Sequence, residues 1–336
     1  MPDGGELQIR FETRATKPQV FRMTEPAIAA ARTRSGLSDI RVSLGEDLSD
    51  LGWLGDADAL VTSNDIVRDP RFPIGDLTAT APRLRWIHII GAGIEPLLPL
   101  DWLPHDVVLT NNSGIHAEKM HESATMALLM LNARLPAIVT NQRQGRWDPI
   151  FTTRIAGKTI LIVGVGDMGA AVARAAKTLG LHVIGVRRRG AAHADVDRMV
   201  PVGALDAVLP EADFVVLAVP LTPETDNLLD RRRIGLIKPG AGLFNIGRAG
   251  SLDHDALVAA LRSKALSGAI LDVFDPEPLP ASSPLWHADN IVLTQHVTSD
   301  DLDEYLPKTY DLVFVNAARL VRGEPLLNSV DPARGY

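Results

Sequence analysis

Short apolar runs alternate along this chain with stretches whose apolar residues recur at three- and four-residue spacing, the periods of strands and helices. In the first third the runs fall at 7–11, 41–44, 59–62, 84–90 and 107–111, with a helical stretch at 26–35. Strands of a parallel sheet are covered on both faces and read as continuous apolar runs, so this part is expected to be a small α/β unit. A long helix is predicted over 118–135, with Met126, Leu129, Met130 and Ala133 on one face and Pro136 as its stop. A second series of runs occupies 159–163, 182–186, 214–219, 241–246, 268–273 and 290–294. Six strands in that order predict a dinucleotide-binding sheet. A last helix is expected over 300–321, returning to the first unit.

Composition narrows the choice of partners. At 336 residues the chain exceeds what one core usually supports, and about 150 residues per domain implies two compact units with a cleft between them. With 46% hydrophobic and 22% charged residues it reads as an ordinary globular protein. A formal charge of −7, from 41 acidic and 34 basic side chains, offers no footprint for a polyanion, so nucleic acid is not expected as a partner. Without cysteine, disulfides, thiolate nucleophiles and thiolate zinc sites are excluded. The first fifteen residues lack the apolar stretch of a secretory signal, and no apolar run approaches the roughly 18 residues of a membrane helix. A cytoplasmic protein is expected. His116 and His121, five residues apart, sit about 140° out of phase on a helix, which argues against a shared metal.

The first candidate chemistry lies after the run at 159–163. Gly164, Gly166 and Gly169 form G-x-G-x-x-G, with Asp167 and Met168 inside it, and the residues that follow carry a helical apolar face. Gly164 permits the tight turn, Gly166 lets backbone approach a pyrophosphate, and Gly169 allows helix to pack on strand. The free N–H groups at the helix start then face the phosphates. The next strand ends in Arg187, Arg188 and Arg189, where an NAD-preferring site usually has a carboxylate. A guanidinium binds a 2′-phosphate through paired hydrogen bonds that a carboxylate would oppose, so NADP is the expected cofactor, with NAD as the alternative.

Three ionisable groups follow successive later strands: Arg248 after 241–246, Glu277 after 268–273, and His296 after 290–294. Open parallel sheets bind ligands at these strand ends. Reducing a 2-keto acid needs a cation for the substrate carboxylate, a proton donor for the forming alkoxide, and a group that orients the donor. Arginine, histidine and glutamate suit those tasks in turn. Their order after a dinucleotide turn makes the set more telling than any one member.

These landmarks resemble the D-isomer-specific 2-hydroxyacid dehydrogenases, in the branch of glyoxylate/hydroxypyruvate reductases, over nearly the whole chain. The resemblance rests on the glycine turn, Asn245-x-x-Arg248, the segment from Asp272 through Glu277 to Pro280, and Thr294-Gln-His296. It implies that Arg248 binds the substrate and that His296 and Glu277 form an acid/base pair. Asp272 is implied near the nicotinamide, as is His296, with Ala218, Val219, Pro220, Thr225, Ile246 and Gly247 lining the cofactor. Gly91, Ala92 and Gly93 look like the family's substrate loop, whose backbone N–H groups hold the acid. The implied fold is two doubly wound parallel-sheet α/β domains. A Rossmann cofactor domain (113–296) is inserted into a flavodoxin-like substrate domain (1–112 and 297–336). A homodimer is implied, through the helix from about Glu118 and the segment to Arg154. Glu122 matches the family's helix start only partly. Gln295 stands where the family has Pro, the stretch from Val297 replaces small residues, and Ala249 replaces a common Gly. Glu277 argues against a formate-dehydrogenase-like relative. A cofactor-sensing or co-repressor-like protein on the same fold is the alternative function.

Overall fold

The computed structural model describes residues 6–332 and 334. Residues 1–5, within the N-terminal stretch that lacks a signal-like apolar run, and 333, 335 and 336 of the C-terminal segment lie outside them. The chain forms two compact units, one running to Ile115 and resuming at Asp300, the other His116–Ser299.

The first unit is built on strands β1 (Leu7–Thr13), β2 (Ile40–Glu46), β3 (Ala59–Thr62), β4 (Trp86–Ile89) and β5 (Val108–Asn111), with helix α1 (Glu25–Ser35) after β1. Every pairing is parallel and the order is β2-β1-β3-β4-β5. Alternate strand residues point to opposite faces, and each face has its own core. Leu60, Ile87 and Leu109 pack on one side, while Ile9, Phe11, Val61 and Trp86 pack on the other. Ile28 and Ala31 of α1, with Tyr310, Val313 and Phe314 of the C-terminal helix Tyr305–Arg322, cover this second face. Phe11 meets Tyr310 edge-to-face at 6.0 Å.

The second unit opens with α2 (Ala117–Asn132) and α3 (Leu135–Arg143), where one helix running to Pro136 was expected. Pro136 sits in the first turn of α3, where its missing N–H leaves no intrahelical bond unmade, so it starts a helix instead of stopping one. Arg134, at φ 53, makes the break. The sheet follows with β6 (Thr159–Val163), β7 (His182–Arg187), β8 (Arg198–Pro201), β9 (Phe214–Leu217), β10 (Ala241–Asn245), β11 (Leu266–Leu271) and β12 (Ile291–Leu293). It is parallel throughout, in the order β12-β11-β10-β9-β6-β7-β8. Six strands were expected and seven are present. The extra one, β8, is an edge strand with no buried residue, so it lacks the apolar run that marks the others.

Between β6 and β7 lies α4 (Asp167–Thr178), and α5 (His254–Arg262) precedes β11. Ile160, Ile162, Val216 and Phe244 pack against α2 and α4, whose small residues Ala124, Ala127, Ala171 and Ala175 allow close approach. Leu161, Val163, Leu217 and Leu243 face the other way, against Ala256, Leu257 and Leu261 of α5. No single helix among the described residues is long and apolar enough to cross a membrane.

Candidate active site

Strand order reverses at β6, which has β7 on one side and β9 on the other. Doubly wound sheets bind nucleotides at this switch point. The glycine turn follows β6 here. Gly164 has φ +95°, and a Cβ on it would stand 2.6 Å from the Ala218 carbonyl oxygen. At Gly169 a Cβ would reach within 1.9 Å of the Gly164 oxygen, so α4 can lie this close to the strand only without a side chain. Gly166 faces open space. It caps α4 without a side-chain hydrogen bond, leaving the N–H groups of Asp167, Met168 and Gly169 unpaired by the helix itself. A turn that is tight at two glycines and open at the third fits a pyrophosphate.

The arginines at the end of β7 divide. Arg187 donates through Nε to the Val165 carbonyl at 2.7 Å, and its Nη2 reaches the same oxygen, so this guanidinium ties β7 to the glycine turn. Arg188 and Arg189 are exposed. Ala218, Val219 and Pro220 follow β9, and Ala218 N–H donates to Val163 O at 2.8 Å. Ile246 is buried after β10, and at Gly247 a Cβ would stand 2.6 Å from Val219 O, so the segments after β9 and β10 run in close contact. The Thr225 hydroxyl donates to Pro220 O at 2.6 Å and closes its own loop.

The three ionisable groups stand beyond the C-terminal ends of three adjacent strands, β10, β11 and β12. His296 and Glu277 are in contact, with Nδ1 2.8 Å from Oε2, and their side chains are 47% and 36% exposed. Glu277 is held from behind, since its Oε1 accepts from Phe274 N–H at 2.8 Å. Arg248 leaves β10 through a turn shaped by Asn245, which is fully buried. Asn245 accepts from Gly247 N–H at 3.0 Å and donates to Arg248 O at 3.2 Å, while Ser251 donates to the same oxygen at 2.7 Å. The guanidinium itself donates through Nη1 to Gly247 O at 2.8 Å. Asn245 and Ser251 shape this turn, although the sequence reading gave neither a role.

Asp272 is 2% exposed and its carboxylate is fully engaged by the histidine-bearing segment. Oδ1 accepts from the Thr294 hydroxyl at 2.8 Å and from the N–H groups of Val297 and Thr298 at 3.1 and 3.3 Å, and Oδ2 from the Thr298 hydroxyl at 2.7 Å. The hydroxyl of Ser123, on α2, also donates to Thr298 O. Within this clamp, Gln295 (φ 55°) and His296 (φ 57°) are both left-handed. Proline is locked near φ −65°, so the residue that departs from the family pattern at 295 is one whose backbone proline could not adopt. Gly91, Ala92 and Gly93 belong to the first unit, after β4.

Comparison with known proteins agrees with this architecture. Residues 125–298 match the family model described as "D-isomer specific 2-hydroxyacid dehydrogenase, NAD binding domain". The chain is 33% identical over 281 residues to a glyoxylate reductase of Pyrococcus furiosus, covering 80% of this chain and 81% of that one. Among solved structures it is similar to a D-isomer specific 2-hydroxyacid dehydrogenase from Xanthobacter autotrophicus Py2 in complex with NADPH and MES. The TM-score is 0.81 at 29% identity, over 99% of this chain and 100% of that one. It is also similar to an NADPH-dependent glyoxylate/hydroxypyruvate reductase from Sinorhizobium meliloti in complex with NADP and sulfate, with TM-score 0.78 and 26% identity over 98% and 100% of the two chains. With the matched segment spanning the glycine turn, Arg248, Glu277 and His296, the chain belongs to the D-isomer specific 2-hydroxyacid dehydrogenase family.

Proposed function

We propose that this protein reduces a small 2-keto acid to the D-2-hydroxy acid, using NADPH in preference to NADH. The observation that carries the reading is the 2.8 Å contact of His296 with Glu277 at the strand ends of a sheet bearing a nucleotide turn. An ionised carboxylate only accepts, so Nδ1 carries the proton shared with Glu277 and Nε2 is the atom left to exchange one with substrate. A reduced nicotinamide, when bound, would supply the hydride for the carbonyl carbon. His296 gives the proton to the carbonyl oxygen, Glu277 orients the ring and offsets its charge, and Arg248 holds the substrate carboxylate. Asp272 acts through His296, by fixing the turn that presents it.

The glycine turn, braced by Arg187, and the exposed Arg188 and Arg189 would hold the cofactor, with Ala218, Val219, Pro220, Thr225, Ile246 and Gly247 around it. Preference for NADP is supported by guanidinium groups where a carboxylate would favour NAD, and by the NADPH and NADP in the two solved neighbours. The names of the relatives put glyoxylate and hydroxypyruvate first among substrates. A homodimer is part of the proposal. Trp147 and Phe151, in the segment after α3, are 97% and 93% exposed, and Met126, Leu129 and Ile138 on α2 and α3 are also exposed. Large apolar side chains so placed suit a second copy of the chain.

The test is oxidation of NADPH and of NADH with a panel of 2-keto acids. Turnover of glyoxylate or hydroxypyruvate, faster with NADPH, is expected. Nucleotide binding without turnover of any keto acid would favour a cofactor sensor instead.

A further inference from the structure

Four consecutive carbonyls in the first unit are tied down by that unit's own groups. Ile90 O accepts from Asn112 Nδ2 at 2.6 Å and from the Tyr305 hydroxyl. Gly91 O accepts from the Asn112 N–H at 3.1 Å. Ala92 O accepts from Asn111 Nδ2 at 2.7 Å, and Gly93 O from Asn64 Nδ2 at 2.9 Å. These peptides are trans, and in a planar trans peptide the next residue's N–H points opposite to the carbonyl. Each N–H of Gly91, Ala92, Gly93 and Ile94 therefore points away from the group that anchors the carbonyl just before it. Among the described residues none of the four donates to a protein acceptor. Four adjacent donors left without a protein acceptor suit an anionic carboxylate.

We propose that Asn64 and Asn111 are positioning residues that hold this turn in the shape that binds the substrate carboxylate, with Asn64 fixing its outer end. They come from the strands on either side: Asn111 ends β5, and Asn64 begins the one-turn helix Asn64–Val67 after β3. The β3–β4–β5 register, Thr62 beside Ile89 beside Asn111, brings both to the carbonyls that follow β4. Asn64 serves Gly93 with its amide nitrogen while its buried Oδ1 has no partner, an arrangement that packing alone does not call for.

The inference rests on the keto-acid reading above, and one set of assays separates the two. In the full-length protein, Asn64→Ala is expected to raise KM for glyoxylate about tenfold, as for one lost hydrogen bond, with kcat changed less than about threefold. Asn64→Asp, which sets a carboxylate against Gly93 O and near the bound acid, should raise KM further. NADPH affinity, read by fluorescence, should be unchanged in both, because the nucleotide turn belongs to the other unit. Unchanged KM in both variants, or a loss of NADPH affinity in step with lost thermal stability, overturns the inference. Should Asn64→Ala fail to fold, Asn64→Ser, with a donor on a shorter stem, carries the same comparison. Wild-type protein that turns over no 2-keto acid overturns the functional reading and this inference together; wild-type turnover with an indifferent Asn64 overturns this inference alone.

Discussion

His296 is placed by the carboxylates of Glu277 and Asp272. Left-handed backbone costs about 1–2 kcal/mol for a residue other than glycine, and here two such residues adjoin. The four hydrogen bonds accepted by Asp272 hold that backbone, while Glu277 sets the ring. Replacing His296 with alanine removes the proposed proton donor and leaves the clamp, so kcat for keto-acid reduction should fall by about 10² to 10⁴ with NADPH affinity retained. Steady-state kinetics alongside nucleotide titration checks this, and undiminished kcat would reject the assignment. Arg248, Glu277 and His296 were legible in the sequence because each follows an apolar run at a strand end. The clamp was not legible. Asp272 was expected beside the nicotinamide, and only folding shows that its carboxylate also holds residues more than twenty positions later.

Most strands could be read from apolar runs, because a parallel sheet buries both faces and leaves little ambiguity. The failures have local causes: β8 is an edge strand without a buried face, and Pro136 has two compatible meanings, helix stop or first helical turn. A polar line across β4 and β5 was likewise hidden within apolar runs. Trp86 Nε1 donates to the Thr110 hydroxyl at 2.8 Å, that hydroxyl lies 2.8 Å from His88 Nδ1, and His88 Nε2 lies 2.9 Å from Asn112 Oδ1. With Asn112 Oδ1 accepting from Nε2–H, the Thr110 hydroxyl donates to Nδ1, an arrangement that needs a neutral ring. His88 is wholly buried, and desolvation lowers its pKa from 6.5 to about 4, although the bond to Asn112 opposes the shift. The folded protein thus takes up this proton less readily than the unfolded one. Stability from this group is complete above about pH 6.5 and falls as pH drops towards 4, by about 3 kcal/mol. Urea unfolding of wild type and His88→Gln across that range should give a steeper pH slope for wild type. Parallel slopes would count against it.

Along the chain, one continuous unit, His116–Ser299, interrupts the sequence of the other. The periodicity of the chain announced two α/β sheets, but exposure could be read only from the folded surface. Trp147 and Phe151 differ little in sequence from core aromatics, yet both stand almost fully in solvent. Trp147→Ser with Phe151→Ser should shift the protein from dimer to monomer in analytical ultracentrifugation, and an unshifted dimer would place the interface elsewhere. Arg187 bears on any redesign of coenzyme choice. An engineer exchanging the whole arginine run for residues that welcome NADH would also cut the brace between β7 and Val165 O, and would misread a slackened turn as lost selectivity. Altering Arg188 and Arg189 while sparing Arg187 separates the two effects.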